Sequence, residues 1–156
     1  YEVAYLNKFY RLETIPQVKI NGILFQQEMK HTIRANLEAV ERKVEQNCRR
    51  WTGRRLCLLG KILILKTFGI SQAIYMMQCM ALSNSEITRL NSILYKFLWN
   101  RHFDAAKAPE RLSREIINTP IKLGGFDMLN IDELDKSLKL KTLSRLFHTR
   151  HPMLSI

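Results

Sequence analysis

Residues 49–67 read RRWTGRRLCLLGKILILKT. Arg49 and Arg50 precede Trp51-Thr52-Gly53, Arg54 and Arg55 follow it, and an apolar run carrying Lys61 and Lys66 comes next. Gly53 stands where a helix should stop, because glycine closes a last helical turn in the left-handed conformation at little cost. Beyond it Leu58, Ile62, Leu65 and Phe68 recur at helical spacing. A second helix is therefore expected to begin near Arg54 or Arg55 and to run to about Met80. Leu56, Leu59, Leu63 and Ile64 make the run apolar on almost every side, which predicts the central helix of a bundle. Gly60 and Gly69 inside it are expected to let a neighbouring backbone come close.

Upstream, Ile33, Leu37, Val40, Val44 and Trp51 fall on one stripe of a helix starting at about Met29. Glu38 with Arg42, and Glu45 with Arg49, stand one turn apart on its polar side. Downstream, Ser83 and Glu86 form a capping-box pattern ahead of Ile87, Leu90, Ile93, Leu94, Phe97 and Leu98, a stripe that ends at Trp99-Asn100. Three amphipathic helices with short connections predict a three-helix bundle over residues 28–100. Residues 1–27 read as extended. Gln17 to Phe25 is rich in strand formers and broken by Asn21-Gly22, a hairpin signal, and Pro16 stops any helix before it. Residues 101–156 read as a loop-rich segment: a polar loop from Arg101 to Pro109, an ambiguous piece from Arg111 to Asn118, turns at Pro120 and Gly124-Gly125, and a fourth helix over about 131–147 with Ile131, Leu134, Leu138, Leu143 and Phe147 near one face. The expected class is thus mainly α: a β hairpin, a three-helix bundle, and a small segment with a fourth helix.

The composition suits a folded core: 46% of the 156 residues are hydrophobic and 25% charged. The net charge of +11 points to a polyanion, nucleic acid ahead of an anionic membrane. The unbroken aliphatic runs are short, so no membrane span is expected. Cys48, Cys57 and Cys79 have no metal-ligand spacing and sit among apolar neighbours, which predicts small core residues in a reducing, intracellular setting, nuclear or cytoplasmic. A chain that opens at Tyr1 without a signal-peptide pattern is expected to be a piece of something longer.

No catalytic constellation is legible. There is no Gly-rich phosphate loop, no HExxH and no nucleophile elbow. His148 and His151 have no acidic or Cys partner nearby, so a frayed helix end explains them better than a metal. Asp132, Glu133 and Asp135 sit where acids favour a helix N-terminus, and no adjacent Asp pair exists for two-metal chemistry. Neither catalytic nor metal-binding residues are assigned. The charge distribution says more. Between Glu45 and Glu86 there is no Asp or Glu, and in that gap lie Arg49, Arg50, Arg54, Arg55, Lys61 and Lys66. These six are the candidate nucleic-acid-binding residues. Arginine clamps phosphate oxygens in pairs, glycine admits a close backbone, and a helix starting near Arg54 would add its free N–H groups. Arg49 and Arg50 are also explained as cations at the end of the first helix. Trp51 fits a core position better than a base-stacking platform.

The run from Trp51 to Thr67, Trp-Thr-Gly-Arg-Arg-Leu-Cys-Leu-Leu-Gly-Lys-Ile-Leu-Ile-Leu-Lys-Thr, resembles the W-x-x-R-x-L-S-L-x-G-[KR]-I-x-I-x-K-T segment of LINE-type (non-LTR) retrotransposon reverse transcriptases. Ile20-Asn21-Gly22-Ile23 is similar to that family's primer grip, and Ser71 to Tyr75 follows at the family's spacing. Ile93 to Asn100 resembles the F-x-W ending of the next helix, and Lys122 to Asn130 the G-G-[LF]-x-[ML] segment of the connector. The resemblance implies the end of the palm with the primer grip (1–27), a three-helix thumb (28–100) and the start of a connector (101–156). It implies a chain without the polymerase aspartates, hence non-catalytic by itself, with Mg expected only in the parent RNA-directed DNA polymerase and no cofactor in this chain. Its partners would be an RNA–DNA hybrid or RNA and the rest of the enzyme. The arginines with Lys61 and Lys66 would grip the duplex backbone, and Ile20, Asn21 and Gly22 would hold the primer end. Two rivals stand beside this: a helical protein-interaction module with an incidental basic face, and a free-standing RNA-binding module derived from such an enzyme.

Overall fold

A computed structural model of the chain describes residues 2–5, 8–11, 15–100 and 109–148. The expected polar loop before Pro109, Tyr1, Leu6 and His151 lie outside the described residues. The chain is mainly helical with short antiparallel strands at its N-terminal end. It divides into two compact units, one up to Asn36 and one from Leu37 onward.

The first unit holds two antiparallel ribbons, β1 (Glu2–Tyr5) with β2 (Lys8–Arg11) and β3 (Gln17–Ile20) with β4 (Ile23–Gln26). In the second ribbon Ile20 faces Ile23 and Gln17 faces Gln26. Asn21 and Gly22 both take positive φ, 49° and 87°, the conformation that matches the strand twist in a two-residue hairpin turn. A lone two-stranded ribbon is marginal in water. This one gains support from the start of α1 (Met29–Trp51). Asn36 accepts from the Leu24 N–H at 3.0 Å and donates to its carbonyl at 2.7 Å, while the Thr32 hydroxyl accepts from the Gln26 N–H at 2.8 Å. Two helix side chains thus satisfy the backbone along β4.

The second unit is built on α1, a long helix after the bend, and α4 (Asn84–Trp99). The middle helix is continuous from Leu58 to Cys79, but it changes geometry: α2 (Leu58–Ile64), a π-helical turn (Leu65–Ile70) and α3 (Ser71–Cys79). The π turn shifts the register of the buried face. Before it Ile62 is buried; through and after it Leu65, Gly69, Ile70, Ala73, Met76 and Met77 are. Phe68, placed inside by a uniform period, stands half out instead. The helix is not apolar-covered all round either, since Leu59 and Leu63 face solvent at 50% and 63% exposure. By length and a mean hydropathy of 1.3 it is long and apolar enough to cross a membrane, a test that core helices of water-soluble bundles also pass.

The core joins Leu37, Val44 and Cys48 of α1 to Leu65, Ile70, Met76 and Met77, and to Leu90, Leu94, Phe97 and Leu98 of α4. A capping box starts α4, with the Glu86 carboxylate accepting from the Ser83 N–H at 2.6 Å. Neither glycine of the middle helix meets a backbone. A Cβ on Gly69 would touch the Leu65 and Leu94 side chains at 3.5 Å, and one on Gly60 would lie 3.7 Å from Leu56 and Cys57. The close backbone approach lies elsewhere, at Gly125, where a Cβ would fall 2.0 Å from the Thr119 carbonyl oxygen. That glycine sits in a folded connection after α5 (Arg114–Asn118), held by bonds from Asp127 N–H to Thr119 and from Met128 N–H to Ile117, at 2.8 and 2.9 Å. The Arg114 guanidinium lies 4.3 Å from the Tyr95 ring and grips Glu110 with two bonds, of 3.0 and 2.7 Å. These contacts seat the connection on α4. Last comes α6 (Ile131–His148), packed on α3 and α4 through its first turns, where Ile131 and Asp135 are buried. Its later apolar residues, Leu140, Leu143, Leu146 and Phe147, are exposed, so the expected buried face covers only the first half.

Candidate nucleic-acid interface

The bend that ends α1 is closed by Gly53, whose φ of 90° is the left-handed cap the sequence suggested. The Thr52 hydroxyl donates to the Cys48 carbonyl at 2.9 Å, and the Arg54 N–H to the Trp51 carbonyl at 3.3 Å. The next helix does not begin at Arg54 or Arg55. It begins at Leu58, with Cys57 as its cap residue. Arg54 and Arg55 therefore ride on a short connection, and their charges owe nothing to a first helical turn. An internal bond from Leu56 N–H to the Arg54 carbonyl, 2.7 Å, tightens that connection.

Around the bend lies a cleft of about 630 Å³, lined by Trp51, Thr52, Gly53, Arg54, Arg55, Leu56, Cys57, Lys61, Phe97 and Asn100. Among the described residues no carboxylate lines it. Arg54 holds its guanidinium over the Trp51 ring at 4.3 Å, and Trp51 stacks on Phe68 with ring centroids 5.9 Å apart. One aromatic partner and one cation thus flank Trp51, which is half-buried. The stack holds a flexible arginine near one geometry, which lowers the ordering cost of meeting an anion. Arg50 and Arg55 are exposed and have neither an ion pair nor a hydrogen bond among the described residues.

The six cations do not act alike. Arg54, Arg55 and Lys61 line the cleft; Arg49, Arg50 and Lys66 are not among its lining residues. Lys61 is spent internally: its ammonium donates to the carbonyls of Phe97, Leu98 and Asn100 at 3.1, 2.9 and 3.0 Å. These are carbonyls at the end of α4, which have no partner inside their own helix. Burial, and then the nearby charge of Arg111, push the Lys61 ammonium below its ordinary pKa. Lys66 pairs with Asp127 at 2.6 Å, tying the π turn to the connection after α5. The acid-free stretch in the sequence is not acid-free in space. Lys61 is thus a structural cation whose charge also faces the cleft, and Lys66 is matched by a carboxylate.

Ile20, Asn21 and Gly22 lie at the tip of the β3–β4 hairpin and are exposed, and the space beside Gly22 is open. Cys48 is buried and its thiol is pushed up to about 12 by burial, whereas Cys57 and Cys79 are exposed rather than core residues. Among the described residues no group of three or more His, Cys, Asp or Glu side chains is placed to hold a metal ion. Sequence reading missed Arg111, which lines a neighbouring cleft with Lys61. The ambiguous local pattern around it gave no signal. No family model matches the chain, and no solved structure matches it.

Proposed function

We infer that this chain grips the sugar–phosphate backbone of an RNA–DNA hybrid, as a non-catalytic part of a LINE-type reverse transcriptase. One observation carries the reading. Arg54 and Arg55 line a cleft at a glycine bend, Arg54 is held in place by Trp51, and among the described residues no carboxylate lines that cleft and Arg55 has no partner. Contacts of this kind position a duplex without reading its sequence. The motif order from Ile20 to Asn130 supports the assignment to a polymerase thumb and its flanks, with Ile20, Asn21 and Gly22 near the primer end. A second reading, a protein-interaction module, draws on the exposed Leu140, Leu143, Leu146 and Phe147 of α6.

The test is binding of a labelled RNA–DNA hybrid across a salt series, for the wild type and for Arg54→Ala/Arg55→Ala. With about four to six phosphate contacts, log K against log salt should fall with a slope of roughly −3 to −5. The double variant should bind at least tenfold more weakly at low salt. Equal binding by variant and wild type would remove the grip. Tighter binding of structured RNA than of hybrid would favour the stand-alone RNA-binding module.

A further inference from the structure

A second cleft of about 570 Å³ adjoins the first and is lined by Leu56, Leu58, Lys61, Leu98, Trp99, Arg111 and Leu112. The two share Leu56 and Lys61. They form one two-lobed groove, with Arg54 and Arg55 at one end, Lys61 at the waist and Arg111 in the far lobe. Among the described residues neither lobe is lined by an Asp or Glu. Arg111 is exposed and has neither an ion pair nor a hydrogen bond among the described residues. It lines the same lobe as Lys61, and its charge adds to burial in lowering that ammonium's pKa, so two like charges share a lobe that no described carboxylate lines. Such a pair is unfavourable until an anion arrives. Beside Lys61 and Arg111 the far lobe is lined by Leu56, Leu58, Leu98 and Leu112, with Trp99, so polar and apolar surface share its wall.

That combination of cations and apolar side chains suits a nucleic-acid strand. A nucleic-acid strand presents phosphate, then the less polar face of a sugar, then phosphate. A lone small anion needs no apolar wall, and an apolar ligand needs no cation at each end. Lys61 makes the passage possible. Without its three bonds, the carbonyls of Phe97, Leu98 and Asn100 would set a negative edge at the waist.

We propose that one strand's sugar–phosphate backbone runs through both lobes, from Arg54 and Arg55 past Lys61 to Arg111, and that Arg111 is a further phosphate contact. The proposal rests on the grip reading above and adds to it the direction of the strand and a residue outside the basic run.

The test compares Arg111→Gln, Arg111→Lys and Lys141→Gln with wild type and Arg54→Ala/Arg55→Ala, using the same labelled hybrid over a salt series. Lys141, exposed on α6, controls for the loss of one charge anywhere on the molecule. Arg111→Gln should weaken binding from a few-fold to about tenfold and make the salt slope shallower by about 0.9. Arg111→Lys should keep the wild-type slope, and Lys141→Gln should change neither quantity. If Arg111→Gln matches Lys141→Gln while Arg54→Ala/Arg55→Ala loses binding, the strand does not reach the far lobe; the proposal falls and the grip stands. If Arg111→Gln loses binding and the Arg54→Ala/Arg55→Ala chain does not, the two lobes are not one track, and the proposal is overturned. If none of these variants weakens binding, the grip and the track fall together.

Discussion

Glu41 shows how one residue can be held against its own preference. It is buried on α1, where Arg89 of α4 reaches one carboxylate oxygen at 2.6 Å, and the other oxygen is buried with no hydrogen-bond partner among the described residues. Burial raises its pKa above the ordinary 4.5, and Arg89 only partly opposes that. The native state therefore holds a proton on Glu41 more readily than the unfolded chain does. The stability this gives is present at low pH and is lost as pH rises from 4.5 through the raised native value. Glu41→Gln, which cannot ionise, should then be the more stable chain at neutral pH, by no more than about 1 kcal/mol. The gap should close below the ordinary carboxylate value. Urea unfolding of both chains at the two pH values checks the sign, and a wild type that is the more stable at neutral pH would show that Arg89 outweighs burial. None of this was legible in the sequence. Glu41 lies on the buried side of α1, but a stripe of apolar letters does not announce a carboxylate within it.

At the scale of elements, helical periodicity and turn chemistry were the readable part. Asn21-Gly22 gave its hairpin, Gly53 its cap, and Ser83 with Glu86 the start of α4, because each acts within a few residues of itself. What failed was whatever depends on a distant neighbour or a changed period. The π turn moved Phe68 outward, and the first residue of the second helix fell at Leu58, because Arg54 to Cys57 form a connection instead of a first turn. Of the candidate site, the bend and its arginines were legible. The private commitments of Lys61 to α4 and of Lys66 to Asp127 cross 36 to 39 and 61 residues of chain and left no local mark. The glycines make a sharp comparison. Gly69→Ala meets only side chains at ordinary contact distance and removes a poor helix former, so it should stabilise by up to about 1 kcal/mol. Gly125→Ala drives a methyl into the Thr119 carbonyl and should cost about 2–4 kcal/mol. Thermal or urea denaturation of the two variants decides it; destabilisation by Gly69→Ala would mean that the π turn tolerates no added methyl.

At the scale of the molecule, the two units differ in what holds them. The strands of the first unit are four residues long, all of β3 is exposed, and β4 is supported by hydrogen bonds to Thr32 and Asn36. The second unit owns the large buried side chains Leu37, Val44, Leu65, Met77, Leu90 and Leu94. Among the described residues nearly all the apolar burial that offsets chain entropy therefore lies after Asn36. A chain beginning at Met29, which keeps α1 whole, should unfold in one cooperative urea transition and retain near-ultraviolet circular dichroism. A broad, non-cooperative transition would mean that the helical unit needs the hairpins.

The chain has two tryptophans, and they fall one to each lobe of the groove: Trp51 beside Arg54, Trp99 beside Arg111. The molecule thus carries an intrinsic fluorophore for each lobe. Displacing Arg54 from the Trp51 face changes the emission of one indole, and filling the far lobe changes that of the other. With Trp51→Phe or Trp99→Phe in hand, occupancy of each lobe can be followed separately, in real time and without a label on either partner.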